Sequence, residues 1–388
     1  MRSIKKIVKG LIIVLVSLNL LVIISGKTYL YKGIANTYFK GRSGPSIDEY
    51  ATFPYREVKA GQFQKWPVAK SYNKISLPEK YRADFKKYET TSFIIIKDDS
   101  VCYEQYWDGF GENSITNSFS MAKTFVGILL GIAIDEGKIK NIDEPVGNYL
   151  PEFREGANFK LKIKHLLTMS SGINFDEDYV SPFAYPAAAY YGSDIEKLTL
   201  KYKVTEEPGK VFRYLSGNSE LLAMVVEKAT GKTISEYASE KLWIPLGAKN
   251  AAYWGLDHEN GMEKAFCCFN SNALDFARIG QLYLKKGNWK GKQLISENYV
   301  LNSIQPADLV NKKGNKNEIY GYAWWLMKYN NHNIFSARGI LGQYIIVIPD
   351  KNMVVVRLGK KREEDNEKGH PADVFKYIDA ALEMYADD

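Results

Sequence analysis

Cysteine, histidine and clustered charge of one sign are all scarce in this 388-residue chain, and each scarcity removes a class of function. There are three cysteines, Cys102, Cys267 and Cys268, an odd number containing one adjacent pair. That pattern is no disulfide framework, and the three read as small buried apolar side chains. The four histidines stand far apart, at 165, 258, 332 and 370, so there is no His-x-x-x-His metal pair, and neither metal nor cofactor is expected. The net charge of +7 is spread over single lysines. No basic helix or arginine-rich block is present, which argues against nucleic-acid binding. There is also no internal repeat.

Long apolar runs are scarce too, with one exception at the start. Residues from Gly10 to Gly26 carry no charge, and Arg2, Lys5, Lys6 and Lys9 precede them. As a helix the run spans roughly 25 Å, close to a bilayer core. The positive-inside rule puts the N-terminus in the cytoplasm and exports the rest. No Ala-x-Ala site follows, and no cysteine offers a lipid attachment. Residues 1–27 are therefore expected to form an uncleaved, single-pass signal anchor, with a cleaved signal peptide and a secreted protein as the alternative. Residues 28–85, broken at Gly41-Arg42-Ser43-Gly44-Pro45, read as a tether and approach segment.

From residue 86 to 388 the chain reads as one α+β domain. Ser92–Lys97 and Val101–Trp107 form a predicted hairpin across Asp98-Asp99-Ser100. Residues from about 138 to 310 are mainly helical. Strands return at 320–327, 344–349 and 353–358, and 371–385 closes the chain as an amphipathic helix. Strands at both ends around a helical middle predict one antiparallel sheet built from both termini, flanked by helices, with a helical insert. Plentiful aromatics, 27 Tyr and 7 Trp, suit a cleft for an organic substrate.

The chemistry centres on Asn117-Ser118-Phe119-Ser120-Met121-Ala122-Lys123. Ser-x-x-Lys occurs three times, at Ser3, Ser71 and Ser120, but only the third opens an apolar helix. Met121, Phe125, Leu129 and Ile132 recur there at helical spacing, and Asn117 or Ser118 can cap the first turn. Ser120 then sits where unpaired N–H groups favour a developing alkoxide. Lys123, three residues on, can bring an amine beside the hydroxyl, and a serine nucleophile needs such a base. A surface serine and lysine on an amphipathic helix would read the same way.

Two more stretches carry chemistry. Pro208 to Asn218 runs into a helix from Glu220 to Thr230, with Asn218 as a candidate N-cap. Tyr214 lies just before the turn, either as a general base facing a cleft or as a half-buried core tyrosine. Phe335 to Tyr344 holds Gly339 and Gly342, which allow close backbone approach. A backbone N–H there, with that of Ser120, would make an oxyanion hole; a glycine-rich strand edge is the other reading. The loop 179–191 is rich in tyrosine, and Trp324-Trp325 adds two further rings.

Taken together, the three stretches resemble the serine β-lactamase and penicillin-binding superfamily, within its class C-like branch, over residues 88 to 385. Ser120-Met121-Ala122-Lys123 is similar to the family's Ser-x-x-Lys. Tyr214-Leu215-Ser216 matches its Tyr-x-Ser element. Leu166 to Gly172 and Pro208-Gly209 are typical phrases of the branch. The third element departs from the usual Lys-Thr-Gly or His-x-Gly, since Ala337-Arg338-Gly339 stands there. The following Ile340-Leu341-Gly342-Gln343 most resembles 6-aminohexanoate-dimer hydrolases and β-lactamase-type esterases. The resemblance implies Ser120 as nucleophile, Lys123 and Tyr214 as the acid/base pair, and the amides of Ser120 and Ile340 as oxyanion donors. It implies that Ser216, Gly339, Gly342, Gln343, Tyr190 and Trp324 line the substrate. The expected substrate is a small-molecule amide or ester, with peptidoglycan fragments one source. D-Ala-D-Ala carboxypeptidase or β-lactamase activity, or a non-catalytic binder of wall fragments, are the alternatives. Arg338 is expected on the strand face away from the site.

Overall fold

The computed structural model describes residues 2–385; Met1 and residues 386–388, the outermost residues of the expected anchor and hydrolase domain, lie outside the described residues. The helices are α1 (Arg2–Ile24), α2 (Tyr29–Asn36), α3 (Glu79–Lys87), α4 (Ala122–Asp135), α5 (Ile163–Leu167), α6 (Tyr185–Tyr191), α7 (Ile195–Leu200), α8 (Ser216–Thr230), α9 (Ile234–Ala238), α10 (Ala273–Leu284), α11 (Glu297–Ser303) and α12 (Val374–Tyr385). The strands are β1 (Tyr55–Val58), β2 (Thr90–Lys97), β3 (Ser100–Tyr106), β4 (Thr116–Asn117), β5 (Ala252–Gly255), β6 (Phe269–Ser271), β7 (Asn288–Trp289), β8 (Lys292–Gln293), β9 (Trp325–Tyr329), β10 (His332–Gly339), β11 (Gln343–Ile348) and β12 (Met353–Gly359).

Six strands make the main sheet in the order β3-β2-β12-β11-β10-β9, every pair antiparallel. β2 and β3 precede Ser120 and the others come from the chain's end, so the sheet is built from both ends as the pattern predicts. The β2–β3 turn places Asp98 and Asp99 at φ 47° and 64°, the positive values that tight hairpin turns require. Both sheet faces are covered, which explains the unbroken apolar run Phe93-Ile94-Ile95-Ile96. Ile94, Ile96, Ile345, Val347, Val354 and Val356 face the helical region. Phe93, Ile95, Tyr344, Ile346 and Val355 face α3 and α12. Burying each such side chain contributes about 1.5–3 kcal/mol. On α10, a Cβ at Gly280 would meet Val354 at 2.6 Å, so glycine lets this helix lie close on the sheet.

A second sheet, β1-β5-β6-β4, crosses the helical region. It pairs Thr116 with Ser271 and Asn117 with Asn270, which joins the approach to Ser120 to the segment just after Phe266.

Three expectations are corrected. Residues 28–85 are not a loose tether, because β1 pairs with β5, and Val58, Trp66, Leu77, Tyr81 and Phe85 are buried. Helix α8 begins at Ser216, so Asn218 lies inside its first turn and donates to the Met169 sulfur instead of capping. Cys267 and Cys268 are joined as a disulfide between neighbours, whereas Cys102 is buried.

Candidate active site

Ser120 lies in a short 3-10 turn, Phe119–Met121, that leads into α4. Asn117 caps this turn, its Oδ1 accepting the Phe119 N–H at 2.8 Å. The turn is pinned from outside by Asn117 N–H to the Ile47 carbonyl (2.8 Å) and Ser118 N–H to the Phe269 carbonyl (2.9 Å). Phe119 is held at φ 44°, an unusual value for a bulky residue and one that persists only where packing over-determines it. Its ring is buried, while Ser120 remains partly open to solvent. Helix α4 is buried along its length from Ala122 to Ala133, Lys123 included.

Lys123 Nζ lies 3.0 Å from Ser120 Oγ and 2.8 Å from the Phe266 carbonyl oxygen, to which it donates. Burial lowers its pKa from 10.5 to about 8, against the opposing charges of Glu177 and Glu220. Once neutral, an amine with one N–H fixed on a carbonyl can turn its lone pair toward the serine hydroxyl. Glu220 shapes this arrangement from behind. Its Oε2 accepts the backbone N–H groups of Ala265 (2.8 Å) and Phe266 (3.3 Å), fixing the peptide that holds the lysine. Burial pushes the Glu220 carboxyl well above the usual carboxylate range.

Tyr214 joins the pair. Its ring centroid is 5.0 Å from Lys123 Nζ. Burial raises its phenol above the ordinary value, and a hydrogen bond with Ser120 offsets part of that rise. Trp325 and Tyr320 fix the ring, with centroids 5.1 and 5.9 Å away. Two residues on, the Ser216 hydroxyl donates to Glu177 Oε1 at 2.5 Å and its N–H to Oε2 at 2.7 Å. The Tyr179 hydroxyl donates to the same carboxylate at 2.7 Å. Ser216 is thus part of the site's frame, with its hydroxyl already committed.

The end of β10 closes the other side. A Cβ on Gly339 would come within 2.2 Å of the Ser118 carbonyl, so only glycine lets this strand touch the Ser120 turn. Ile340, the next residue, is partly exposed. Ala337 is fully buried on the helical face. Arg338 lies on the strand face opposite Ala337, its Nε donating to Ser336 Oγ (3.0 Å) and Nη2 to His370 Nδ1 (2.8 Å), with its guanidinium over Trp325, the same ring that packs on Tyr214. Burial, together with the nearby Arg338 charge, lowers the His370 pKa to about 3, which leaves its Nδ1 free to accept.

Four expected substrate contacts are reassigned. Gln343 is fully buried and its amide binds the Ile340 and Gly359 carbonyls at 3.2 and 2.7 Å, so it braces the turn after β10. Gly342, at φ +84°, makes room for the Arg357 guanidinium. Tyr190 is buried, its hydroxyl donating to Glu49 (2.7 Å) and its carbonyl accepting from Lys264 (2.6 Å). Trp324 packs in the core against Tyr283 and Phe335, and Trp325 is the ring that meets Tyr214. Glu177, Glu220 and the Phe266 carbonyl were not anticipated. Glu220 has a sequence signal, a lone acid before the apolar Leu221-Leu222; Glu177 and Phe266 have none. Among the described residues no group of His, Cys, Asp and Glu is arranged to hold a metal. A separate groove of about 900 Å³, lined by Arg82, Tyr103 and Trp107, contains none of Ser120, Lys123 and Tyr214.

A serine, a buried lysine and a tyrosine converge on one point beside a strand edge. The β-lactamase family profile matches residues 81–376, and the chain belongs to that family of serine hydrolases. It is 26% identical over 297 residues to the 6-aminohexanoate-dimer hydrolase of Paenarthrobacter ureafaciens, covering 72% of this chain and 75% of that one. Among solved structures it resembles a candidate 6-aminohexanoate-dimer hydrolase from Bacillus anthracis, with a TM-score of 0.72, 24% identity, and coverage of 85% and 91% of the two chains. It also resembles a family VIII carboxylesterase, with a TM-score of 0.64, 18% identity, and coverage of 82% and 99%.

Proposed function

We propose that this protein is a membrane-anchored serine hydrolase, facing outward, that cleaves an amide or ester through an acyl-enzyme on Ser120. Residues 1–27 anchor it, and 86–388 carry the reaction. The observation that carries the mechanism is the 3.0 Å approach of a buried, pKa-lowered Lys123 to the Ser120 hydroxyl. Neutral Lys123 takes the Oγ proton as Oγ bonds to the substrate carbonyl carbon. The tetrahedral oxyanion lies between the N–H groups of Ser120 and Ile340. The bond to the leaving nitrogen or oxygen then breaks as that atom receives the proton, passed from Lys123 by way of Tyr214. Water attacks the acyl carbon and loses a proton to the same pair, and the bond from that carbon to Oγ then breaks as Oγ takes the proton back, releasing the acid with Ser120 restored.

The substrate reading rests on Ala337. Penicillins and D-Ala-D-Ala peptides present a carboxylate beside the reacting carbonyl, and the position that usually supplies a cation here bears a methyl group. Arg338 lies on the other strand face, held by Ser336 and His370, although the Trp325 ring under its guanidinium also meets Tyr214. Simple esters and amides without that carboxylate are therefore favoured over β-lactam or carboxypeptidase chemistry. Labelling the full chain side by side with a fluorescent fluorophosphonate and a fluorescent penicillin tests this. Labelling by the first alone is expected. Labelling by neither would favour a non-catalytic binder, and rapid penicillin labelling would restore the β-lactamase alternative.

A further inference from the structure

We infer that the mouth of the catalytic cleft rests on the outer membrane leaflet through Val180, Phe183, Tyr38 and Phe39, and that the enzyme takes acyl esters or amides held in the bilayer. This deepens the proposed function and rests on its membrane-anchored reading of α1. Ile4–Ile24 is long and apolar enough to cross a membrane, and α2 begins at Tyr29. Five residue steps span at most about 17 Å, so α2 starts close to the membrane surface. The Tyr31 hydroxyl donates to Asn19 Oδ1 at 2.8 Å, which ties the start of α2 to the outer end of α1.

This junction grips the loop that frames the active site. Lys27 Nζ lies 4.5 Å from the Phe183 ring centroid, and the Tyr29 hydroxyl donates to the Pro182 carbonyl at 3.1 Å. The Tyr191 ring packs against Gly33. At the loop's other end, Glu177 and Tyr179 bind Ser216, two residues from Tyr214. Seven residues, 177–183, therefore connect the membrane junction to the acid/base element. Asp178 Oδ1 accepts the Val180 and Ser181 N–H groups at 2.8 and 3.2 Å, which fixes the loop tip.

The tip and its neighbours expose what a water-facing surface would hide. Val180 is 93% exposed, Phe183 58%, Phe39 83% and Tyr38 68%. Large apolar groups exposed on a loop and a segment that are both joined to a membrane helix are those that enter the interfacial layer. Lys27, Lys32 and Lys40, from the same segment, suit anionic headgroups. A cleft mouth at this height would receive the head of an acyl-chain-bearing substrate without withdrawing its tail from lipid.

The test uses the full chain reconstituted in phosphatidylethanolamine–phosphatidylglycerol vesicles. Cys102 is buried and Cys267 is bonded to Cys268, so Val180→Cys or the distant, exposed Lys292→Cys takes a thiol-directed fluorophore selectively. Nitroxide lipids are expected to quench the label at 180 and to spare the label at 292. Equal quenching at the two, or none at 180 because a protein partner covers the loop instead, overturns the inference. In the same vesicles, Phe39→Asp with Val180→Asp should slow hydrolysis of lipid-embedded p-nitrophenyl palmitate by about tenfold or more and leave soluble p-nitrophenyl acetate within about twofold. Unchanged palmitate hydrolysis, or equal loss on both esters, overturns the substrate class. Quenching at 180 with no ester turnover by the unmodified chain would leave the contact standing and remove the hydrolase reading, and the substrate class with it.

Discussion

Raising the pH from 6 to 9 should activate this enzyme through Lys123. The lysine is surrounded by Ser120, Phe266 and the Tyr214 ring, and burial brings its pKa from 10.5 to about 8. The base must be neutral to take the serine proton. Its neutral fraction is then about 1% at pH 6, about 10% at pH 7 and one half at pH 8. Accordingly kcat/KM for a soluble ester should climb nearly tenfold per pH unit below 8 and level off above it. The same shift has a cost in stability. Below pH 8 the lysine is protonated in both folded and unfolded chains, and the folded state pays about 3 kcal/mol for burying the charge. That penalty fades as pH rises from 8 toward 10.5, where the unfolded chain also loses the proton. Lys123→Met should therefore abolish turnover and raise the thermal midpoint at pH 7. A stopped-flow pH–rate profile and a melting curve read both effects. A flat profile between pH 6 and 8, or a Lys123→Met protein less stable than the parent, would refute the reasoning.

Three further outcomes follow from the geometry. Tyr214→Phe keeps the ring contact with Trp325 and should lower kcat by about 10²–10⁴ with little change in melting temperature; unchanged kcat would return Tyr214 to a packing role. Gly339→Ala drives a Cβ to within 2.2 Å of the Ser118 carbonyl and should displace the nucleophile turn, which steady-state ester kinetics would detect as a loss of kcat. Nitrocefin hydrolysis should be weak, since the missing cation corresponds to a charge-assisted bond worth about 1.5–3 kcal/mol; efficient hydrolysis that disappears in Arg338→Ala would show that the cation had moved by one residue.

The fold was legible where local pattern and topology agree. Alternating and continuous apolar runs marked β2, β3, β11 and β12, and the stop at Gly231 marked the end of α8. Residues 28–85 were misread because their apolar groups are spaced singly along the chain. Val58 and Trp66 reach the core by strand pairing and hydrogen bonding with residues about two hundred positions away. At the site, Ser120 and Lys123 were readable because three residues of one turn bring them together. Tyr214 and the Gly339 edge needed family resemblance, since no local rule joins them to Ser120. Trp324 and Trp325 are adjacent, and a strand sends neighbours to opposite faces, so composition alone could not tell which ring faces Tyr214. Gln343 and Gly342 follow the β10 end in sequence but brace its turn from behind. Glu177 acts across 39 residues on Ser216, a distance at which sequence carries no signal.

Acid-quenched intact-mass analysis during turnover of an activated ester, with the adduct mapped by peptide digestion, tests the central claim most directly. The account predicts a transient acyl group on the peptide containing Ser120, and neither adduct nor turnover in Ser120→Ala, where losing the nucleophile costs on the order of 10⁶ in kcat. An acyl group on another residue, or ester hydrolysis by Ser120→Ala at the parent rate, would contradict it.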